Sequence, residues 1–287
     1  MMIVITGATG GLGSQVVDRL LERVPSDRVV ASVRDPAKAT ALADRGVSIR
    51  AGDFDKAEEL QTAFDGAGQV LVISPNALGE TGRRLSRNAI KTARAAGARR
   101  VLYTSHMGTH DGSPFSDHAA IEDFLAEDGR PFTSLRHGFY AESALHLIGR
   151  GFEIGEIRAP ADGPVSWTAR ADLAEADAII LADEGCLDGI TPALTAPEAF
   201  TMEDLAAIAS GLTGRTIKRV VLSDAEWLDA KIAEGAPRPM AELLLMMYRS
   251  ARQGDFASVD PTLEKLLGHR PRTMRDVLAG ILKPAGD

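Results

Sequence analysis

The sequence predicts an α/β fold in which a doubly wound parallel sheet is followed by a smaller α+β lobe. Short apolar runs alternate with helical patterns through the first half of the chain, which is the rhythm of a parallel sheet. A glycine-spaced turn joins the first apolar run to the first helical stretch, and after Tyr140 the alternation loosens. We therefore expect residues 1–150 to form the sheet domain and residues 151–287 a smaller lobe packed on it, with some segments returning to the core of the sheet domain.

The elements follow in order from the periodicity. Apolar runs predict strands at Met2–Thr6, Arg28–Val33, Val47–Ala51, Gln69–Ser74, Arg100–Thr104 and Phe132–Arg136. Helical patterns between them predict helices at Gly11–Val24, Pro36–Asp44, Lys56–Phe64, Thr81–Ala96 and Asp117–Glu127, and later at Arg170–Asp183, Thr201–Leu212, Ser223–Glu234 and Pro239–Gln253. Right-handed crossovers then give the strand order 3-2-1-4-5-6, with ligands outside the carboxyl ends of the strands.

Composition and charge narrow the choice of partners. A net charge of −8 argues against nucleic acid, and it means that an anionic ligand must be held by local cations and backbone amides. Cys186 is the single cysteine, so no intramolecular disulfide can form and a reducing compartment is expected. Met1-Met2 leads directly into the first strand, and no apolar run approaches the ~18 residues of a membrane span. We expect a cytoplasmic monomer or homodimer.

The turn after the first strand predicts a cradle for the phosphates of a dinucleotide. Gly7, Gly10 and Gly13 have the spacing G-x-x-G-x-x-G, which departs from G-x-G-x-x-G and is the form found in short-chain dehydrogenases. Gly7 can adopt backbone angles barred to other residues, and Gly10 leaves no side chain between the backbone and the pyrophosphate. Gly13 lets helix and strand approach closely, and the helix N-terminus attracts the anion. The alternative is an ordinary glycine-rich turn.

The second and third strands end in residues suited to the adenosine half of a dinucleotide. Arg34 stands near the place where NAD-preferring enzymes usually carry an acidic residue, and a guanidinium there suits a 2′-phosphate. Lys38 adds positive charge, whereas Asp35 leaves room for NAD, and a solvated loop charge is the alternative for Arg34. After the third strand, Asp53 is placed to bond the adenine amino group with Phe54 packed beside it, or else to cap the next helix.

The fourth and fifth strands end in polar turns beside the first strand. Ser74, Pro75 and Asn76 follow the fourth strand and are expected to shape the channel for the middle of the cofactor. Thr104 and Ser105 end the fifth strand, where their hydroxyls can meet a nicotinamide or a substrate oxygen. These two residues are candidates and not established acids.

The Tyr-x-x-x-Lys pair of conventional short-chain dehydrogenases is missing from this chain. Tyr103, Tyr140 and Tyr248 are the three tyrosines, and none is followed four residues later by lysine. In that pair the lysine lowers the tyrosine pKa for protonation of a carbonyl oxygen. A simple ketone needs such a strong donor, whereas a quinone spreads the new charge over a ring and can take its proton from water. The absence favours quinone-like acceptors.

His118 is the strongest candidate for proton relay or substrate orientation. Glu122 follows it by four residues on the same helical face, so the carboxylate can orient the imidazole and raise its pKa. An i,i+4 pair on a solvated helix face is the alternative. The histidines near this helix lack zinc-ligand spacing and the cysteine lies far along the chain, so no metal is predicted.

Taken together, these motifs resemble the NmrA-like atypical short-chain dehydrogenases, especially the bacterial NAD(P)H:quinone oxidoreductases and triphenylmethane dye reductases. The likeness covers nearly the whole chain. It lies in residues 6–13, 33–38, 52–55, 103–105, 118–122, 135–143, 166–172 and 266–268.

The resemblance implies a set of cofactor contacts. Residues from Thr6 to Gly11 would contact the phosphates, namely Thr6, Gly7, Thr9, Gly10 and Gly11, and Leu12 would join the cofactor site. Arg34 would meet the 2′-phosphate, Ser74 to Asn76 the middle of the cofactor, and Arg136, His137, Gly138, Phe139 and Tyr140 the nicotinamide end. His137 departs from the Asn or Pro that relatives usually carry, which bears on acceptor preference. By the same resemblance, substrate binds between the sheet edge and the C-terminal lobe.

The expected activity is transfer of hydride from NADPH, with NAD possible, to a quinone or a similarly conjugated acceptor. His118, Ser105 and Tyr140 are expected to frame this small aromatic or quinone-like substrate. The family also contains members that bind the dinucleotide without turnover and act as redox-responsive regulators. A reductase of a specialised aromatic, imine or enone metabolite is a further alternative. An assay of hydride transfer distinguishes the two enzymatic functions from the non-catalytic regulator.

Overall fold

The structure, a computed structural model, describes residues Met1–Leu282 and contains a seven-stranded parallel sheet. The strands are β1 (Met2–Thr6), β2 (Val29–Val33), β3 (Ser48–Ala51), β4 (Ala67–Val72), β5 (Arg100–His106), β6 (Phe132–His137) and β8 (Gly189–Ile190), in the order β3-β2-β1-β4-β5-β6-β8. A separate two-stranded sheet pairs β7 (Glu156–Pro160) with β9 (Lys218–Leu222). The predicted Rossmann-type sheet and its order through the sixth strand are confirmed.

Helices connect the strands of the large sheet. They are α1 (Gly13–Leu21), α2 (Thr40–Ala43, after a 3-10 turn at Pro36–Ala39), α3 (Ala57–Ala63), α4 (Gly79–Ala95), α5 (Ser116–Ala126) and α8 (Arg170–Ala182). Between α5 and α8 the chain also forms α6 (Ala144–Ile148) and α7 (Gly151–Ile154), and later α9 (Met202–Thr213), α10 (Asp224–Ala233), α11 (Arg238–Gln253), α12 (Thr262–Leu267) and α13 (Met274–Leu282). Across Met1–Leu282, no helix combines the length and apolar character that a membrane crossing requires.

The seventh strand of the sheet was not predicted from the sequence. β8 has two residues, and its register with β6 pairs Thr133 with Gly189 and Ser134 with Ile190. A strand of this length shows no side-chain alternation, so periodicity cannot reveal it. Its place in the sheet is decided by the path of the chain after α8.

The chain divides into two compact units. The first comprises Met1–Thr109, Phe115–Arg136 and Ala171–Pro192; the second comprises His110–Pro114, His137–Arg170 and the described residues from Ala193 onward. The first unit contains the carboxyl ends of β1 to β5, where the sequence predicts ligand binding.

The core of the first unit lies between the sheet and its helices. Val4, Val70 and Val101 of three strands are fully buried and belong to one cluster with Leu60 of α3 and Ile90 of α4. Burial of such side chains is the main stabilising contribution to a fold of this kind. It fixes the strands, and therefore the loops at their carboxyl ends.

The core of the second unit includes an aromatic group. Phe139 packs edge-to-face against Trp167 and against Phe256, with ring centroids 5.2 Å apart in both pairs. The Trp167 indole N–H donates to the Phe200 carbonyl at 3.1 Å, so its polar atom is satisfied although the side chain is buried. These contacts fix the segment that directly follows β6.

Candidate active site

The glycine turn after β1 has the geometry of an anion cradle. Gly7 has a φ of +59°, in the left-handed region that favours glycine. Its carbonyl accepts the Gly10 amide at 2.8 Å, and a Cβ on Gly13 would lie 2.3 Å from the same oxygen. Thr9, Gly10 and Gly11 are exposed, so the backbone before α1 is open to a ligand.

Two residues predicted to bind the cofactor, Thr6 and Leu12, are buried in the structure. The Thr6 hydroxyl donates to the Leu71 carbonyl at 3.1 Å and accepts the Ile73 amide at 2.9 Å. Leu12 is 6% exposed and its carbonyl accepts the Val16 amide in the first turn of α1. The Thr6 side chain therefore joins the end of β1 to the end of β4, and it explains why β4 stops before the predicted Ile73 and Ser74.

Arg34 is exposed immediately after β2. Lys38 forms an ion pair with Asp35 at 3.7 Å, and the Asp35 carboxylate accepts the Ala37 amide at 3.1 Å to cap the following turn. Within the described residues, the Arg34 guanidinium forms no such pair. Asp35 is thus engaged by its own turn and by Lys38, and the exposed Arg34 guanidinium is open to a ligand at this strand end.

Asp53 and Phe54 form the turn after β3. The Asp53 carboxylate accepts the Asp55 amide at 3.0 Å, so it caps the turn that precedes α3. Phe54 is half-buried against the core cluster, and its carbonyl accepts the Asn88 side-chain amide at 3.3 Å. Local turn formation therefore uses one oxygen of Asp53, and the adenine contact stays a prediction.

The ends of β4 and β5 are joined through two hydroxyl groups. The buried Thr104 hydroxyl accepts the Ser74 amide at 2.8 Å and lies 3.1 Å from the Ser74 hydroxyl. Pro75 is half-buried and Asn76 is exposed in the loop that follows. The sequence placed these residues on separate strands, and the structure brings Ser74 and Thr104 into contact.

Ser105 belongs to a buried network centred on Glu122. Glu122 is 2% exposed, and its Oε1 accepts the Ser105 hydroxyl at 2.8 Å and the Ser134 hydroxyl at 2.9 Å. Arg136 donates to the same carboxylate through Nε and Nη2, at 3.0 and 2.6 Å, and this bonding raises the pKa of the guanidinium. The buried carboxylate is thus compensated by one cation and two hydroxyls.

His118 is oriented by a residue that its spacing did not predict. Its Nδ1 lies 2.9 Å from the Tyr103 hydroxyl, whereas both Glu122 oxygens bond to the network around Arg136. Glu122 is also too deeply buried for the alternative of a solvated helix face. The i,i+4 spacing missed these partners because β5 and β6, which supply them, are remote in sequence.

Two further rings, those of His106 and Phe115, lie near the His118 ring. His106 stacks on Phe115 with centroids 3.7 Å apart, and the His118 centroid lies 6.5 Å from His106 and 6.2 Å from Phe115. Asp117 fixes the start of this helix, because its carboxylate accepts the Gly79 amide and pairs with Arg83. No group of three or more metal-ligating side chains occurs in the described part of the chain.

The segment from His137 to Tyr140 belongs to the second unit. His137 is 1% exposed, and its Nδ1 lies 3.4 Å from the Tyr140 hydroxyl. A Cβ on Gly138 would lie 2.2 Å from the Thr168 hydroxyl, so this position requires glycine. Arg170 stacks over the Tyr140 ring at 5.1 Å, and Phe139 lies in the aromatic core described above.

A parallel sheet with a glycine cradle after its first strand defines a dinucleotide-binding fold. The chain belongs to the NmrA-like family, whose model matches residues 1–275. It is 35% identical over 278 residues to quinone oxidoreductase 2 of Escherichia coli, with 96% of each chain covered.

Two solved structures show the same likeness in three dimensions. The NADPH-dependent quinone oxidoreductase of Escherichia coli, complexed with NADPH, matches with a TM-score of 0.92 at 34% identity, over 98% of this chain and 100% of that one. The triphenylmethane reductase of Citrobacter sp., complexed with NADP(H), matches with a TM-score of 0.88 at 30% identity, over 97% and 100% of the two chains.

Proposed function

We propose that this protein is an NAD(P)H-dependent oxidoreductase that reduces quinones or similarly conjugated acceptors, with NADPH as the preferred donor. The observation that carries the proposal is the glycine cradle at the carboxyl end of β1, in a chain whose relatives include NADPH-dependent quinone reductases. An oxidoreductase of this class also agrees with the family match along residues 1–275.

The residues of the first unit fit a dinucleotide phosphate. The turn at Gly7 and the close approach at Gly13 leave the backbone of Thr9 to Gly11 exposed ahead of a nine-residue helix. Backbone amides in that position bind phosphate, and the helix dipole adds to the attraction. The cradle compensates locally for the net charge of −8, which opposes an anionic ligand.

Arg34 carries the preference for NADPH. Its exposed guanidinium lies one residue past β2, where the ribose of a dinucleotide binds in this fold. A guanidinium makes strong, directional hydrogen bonds to a phosphate. Lys38 attracts the phosphate more weakly, since its ammonium group is paired with the Asp35 carboxylate.

The bound dinucleotide supplies hydride, and the protein supplies binding, orientation and electrostatics. Ser74 and Thr104 fix the loop beside the cradle, and we assign His118 of the first unit to contact with the acceptor. Tyr103 is no substitute for the acid of a Tyr-x-x-x-Lys pair, because burial raises the pKa of its hydroxyl. A quinone-like acceptor does not need that acid, which supports the proposed substrate class.

The test follows NADPH absorbance after addition of a small benzoquinone or naphthoquinone, with NADH run in parallel and an enzyme-free blank. Blank-corrected turnover with a preference for NADPH is the expected result. Tight NADPH binding without turnover of any quinone would overturn the proposal in favour of a dinucleotide sensor. Turnover of imines or enones alone would instead indicate a narrow-specificity reductase.

A further inference from the structure

The loop at residues 107–115 joins β5 to α5 and contains a histidine that is paired with a carboxylate. His110 Nε2 lies 3.2 Å from Asp255 Oδ1, and both residues belong to the second unit. The His110 side chain is 48% exposed, whereas that of Asp255 is 13% exposed. The pair therefore has a buried negative side and a solvent-facing ring that can exchange a proton with water.

Asp255 is fixed by the turn that ends α11. Gly254 caps the helix with a φ of +88°, and the Asp255 amide donates to the Ser250 carbonyl at 3.1 Å. The next residue, Phe256, is fully buried in the aromatic core of the second unit. The Asp255 Oδ2 atom is buried and has no hydrogen-bond partner within Met1–Leu282, where His110 supplies the one ion pair to this carboxylate. The imidazolium is thus the counter-charge of a carboxylate that is largely removed from water.

Both ring nitrogens of His110 face hydrogen-bond acceptors. Nδ1 lies 2.8 Å from the Asp111 carbonyl oxygen, and Nε2 faces the Asp255 carboxylate. A neutral imidazole has one N–H and donates to one of these groups, whereas the imidazolium donates to both. The charged groups that act on the ring are the carboxylates of Asp255 and Asp111, which both favour the imidazolium. The hydrogen bonds to the Asp111 carbonyl and to Asp255 accordingly raise the pKa of His110 above its ordinary 6.5.

We propose that His110 and Asp255 form a pH-sensitive latch, in which the imidazolium fastens the loop at residues 107–115 to the turn after α11 and the neutral imidazole releases it. Release transfers one proton from His110 to the solvent, and the Asp255 carboxylate then loses its counter-charge. The Thr109 hydroxyl donates to the Phe115 carbonyl at 2.6 Å, which closes the loop on itself without linking it to α11. The latch does not depend on the proposed function, because its two partners lie within the second unit and outside the phosphate cradle.

The latch is closed at neutral and mildly acidic pH and opens in alkali. Because the pKa of His110 is raised in the folded protein, the pair stabilises the closed loop fully below the ordinary value of 6.5, and this stabilisation disappears as the pH rises through the folded value. The loop follows Ser105 and precedes His118 in the chain. Its release therefore changes the conformational freedom of the segment that joins two residues expected to frame the acceptor.

The first test follows the titration of His110 by NMR of protein labelled with carbon-13 at histidine. The ring signal that is missing in His110→Gln is that of His110. We expect the wild-type ring to titrate above pH 6.5, and Asp255→Asn to move the titration to lower pH because the ring loses its counter-charge. Asp111→Asn is the matched control: it retains the backbone carbonyl that Nδ1 bonds, so its shift should be smaller. An unaltered titration in folded Asp255→Asn, or an equal shift in Asp111→Asn, would overturn the proposal.

The second test measures hydrogen exchange of the peptide that covers residues 108–115, corrected for the intrinsic effect of pH on exchange. This peptide includes the Ser113 amide, which donates to the His110 carbonyl at 3.1 Å. Wild-type protection should fall about twofold to fivefold as the pH rises through the His110 titration, the range expected for a partly exposed ion pair. In His110→Gln and Asp255→Asn, protection should be low and independent of pH. Wild-type protection that does not change with pH, or a pH dependence that persists in His110→Gln, would refute the latch.

Discussion

Glu122 and Arg136 form a bidentate ion pair between α5 and β6, with Nε–Oε1 and Nη2–Oε2 distances of 3.0 and 2.6 Å. The carboxylate is buried, while the Arg136 side chain is 35% exposed. The pair thus fixes a cation at the carboxyl end of the sheet. Because the Glu122 carboxylate is bonded to Arg136, it is not the hydrogen-bond partner of His118 that the helical spacing had suggested.

Loss of the Glu122 charge should destabilise the fold. Glu122→Gln leaves the guanidinium without its counter-ion and weakens the bonds from Ser105 and Ser134. We expect the free energy of unfolding to fall by roughly 2 to 3 kcal/mol, since partial exposure of Arg136 reduces the cost of breaking a fully buried pair. Urea unfolding measures this change.

The control, Glu80→Gln, breaks a pair with Arg83 in which Glu80 is 76% exposed, and it should cost less than about 1 kcal/mol. Equal losses in the two variants would contradict the structural role of Glu122.

A methyl group on Gly13 should damage the phosphate cradle. The added Cβ would lie 2.3 Å from the Gly7 carbonyl oxygen, and that backbone has no room to yield without moving the turn. Gly13→Ala should raise the Kd for NADPH at least tenfold by isothermal calorimetry, because the exposed amides lose their arrangement. Gly211→Ala is the control: the nearest atom to its Cβ is the Arg275 guanidinium at 3.8 Å, and the change should preserve affinity and stabilise α9 by up to ~1 kcal/mol. Retained NADPH affinity in Gly13→Ala would argue against the cradle.

Substitution of Arg34 should alter the choice between the two dinucleotides. Arg34→Ala removes an exposed guanidinium that meets the 2′-phosphate in the proposed complex, so KM for NADPH should rise tenfold or more and KM for NADH should stay within about twofold. Lys38→Ala should cause a smaller loss, because Asp35 already pairs with the ammonium group. Equal increases in KM for NADPH and NADH in Arg34→Ala would contradict the assignment of Arg34 to the 2′-phosphate.

Asp224 should contribute to stability at neutral pH and lose that contribution in acid. Hydrogen bonds from Arg252 and Arg249 lower its pKa below the ordinary 3.8. A depressed pKa in the folded state stabilises the protein above the unfolded value, and the stabilisation disappears as pH falls through the folded value. Asp224→Asn should therefore cost about 1 kcal/mol at pH 7, and the difference from the wild type should shrink as the pH falls below 3.8 and through the lowered pKa of the folded state. Asp229→Asn, at an exposed position on the same helix, should show no such pH-dependent difference in urea unfolding.

The sequence was sufficient to predict the strands of the sheet, because the signals that mark a strand lie within a short segment of the chain. Apolar runs bounded by turn residues located β1 to β6 within a few residues, and the spacing from Gly7 to Gly13 located the cradle. Each depends on the backbone preferences and side-chain alternation of neighbouring residues, which a single segment contains. The exposed position of Arg34 likewise follows from the end of β2.

The partners of buried polar groups were decided by tertiary structure. Tyr103 meets His118, and Glu122 meets Ser105, Ser134 and Arg136, because parallel strands and a crossover helix bring residues 12 to 17 positions apart into contact. A buried polar side chain must bond to whatever lies beside it, and several hydroxyls and cations in the sequence satisfy that need equally well. The sequence determined where the strands end and which residues stand there, whereas packing of α4 and α5 on the sheet decided which of those residues touch.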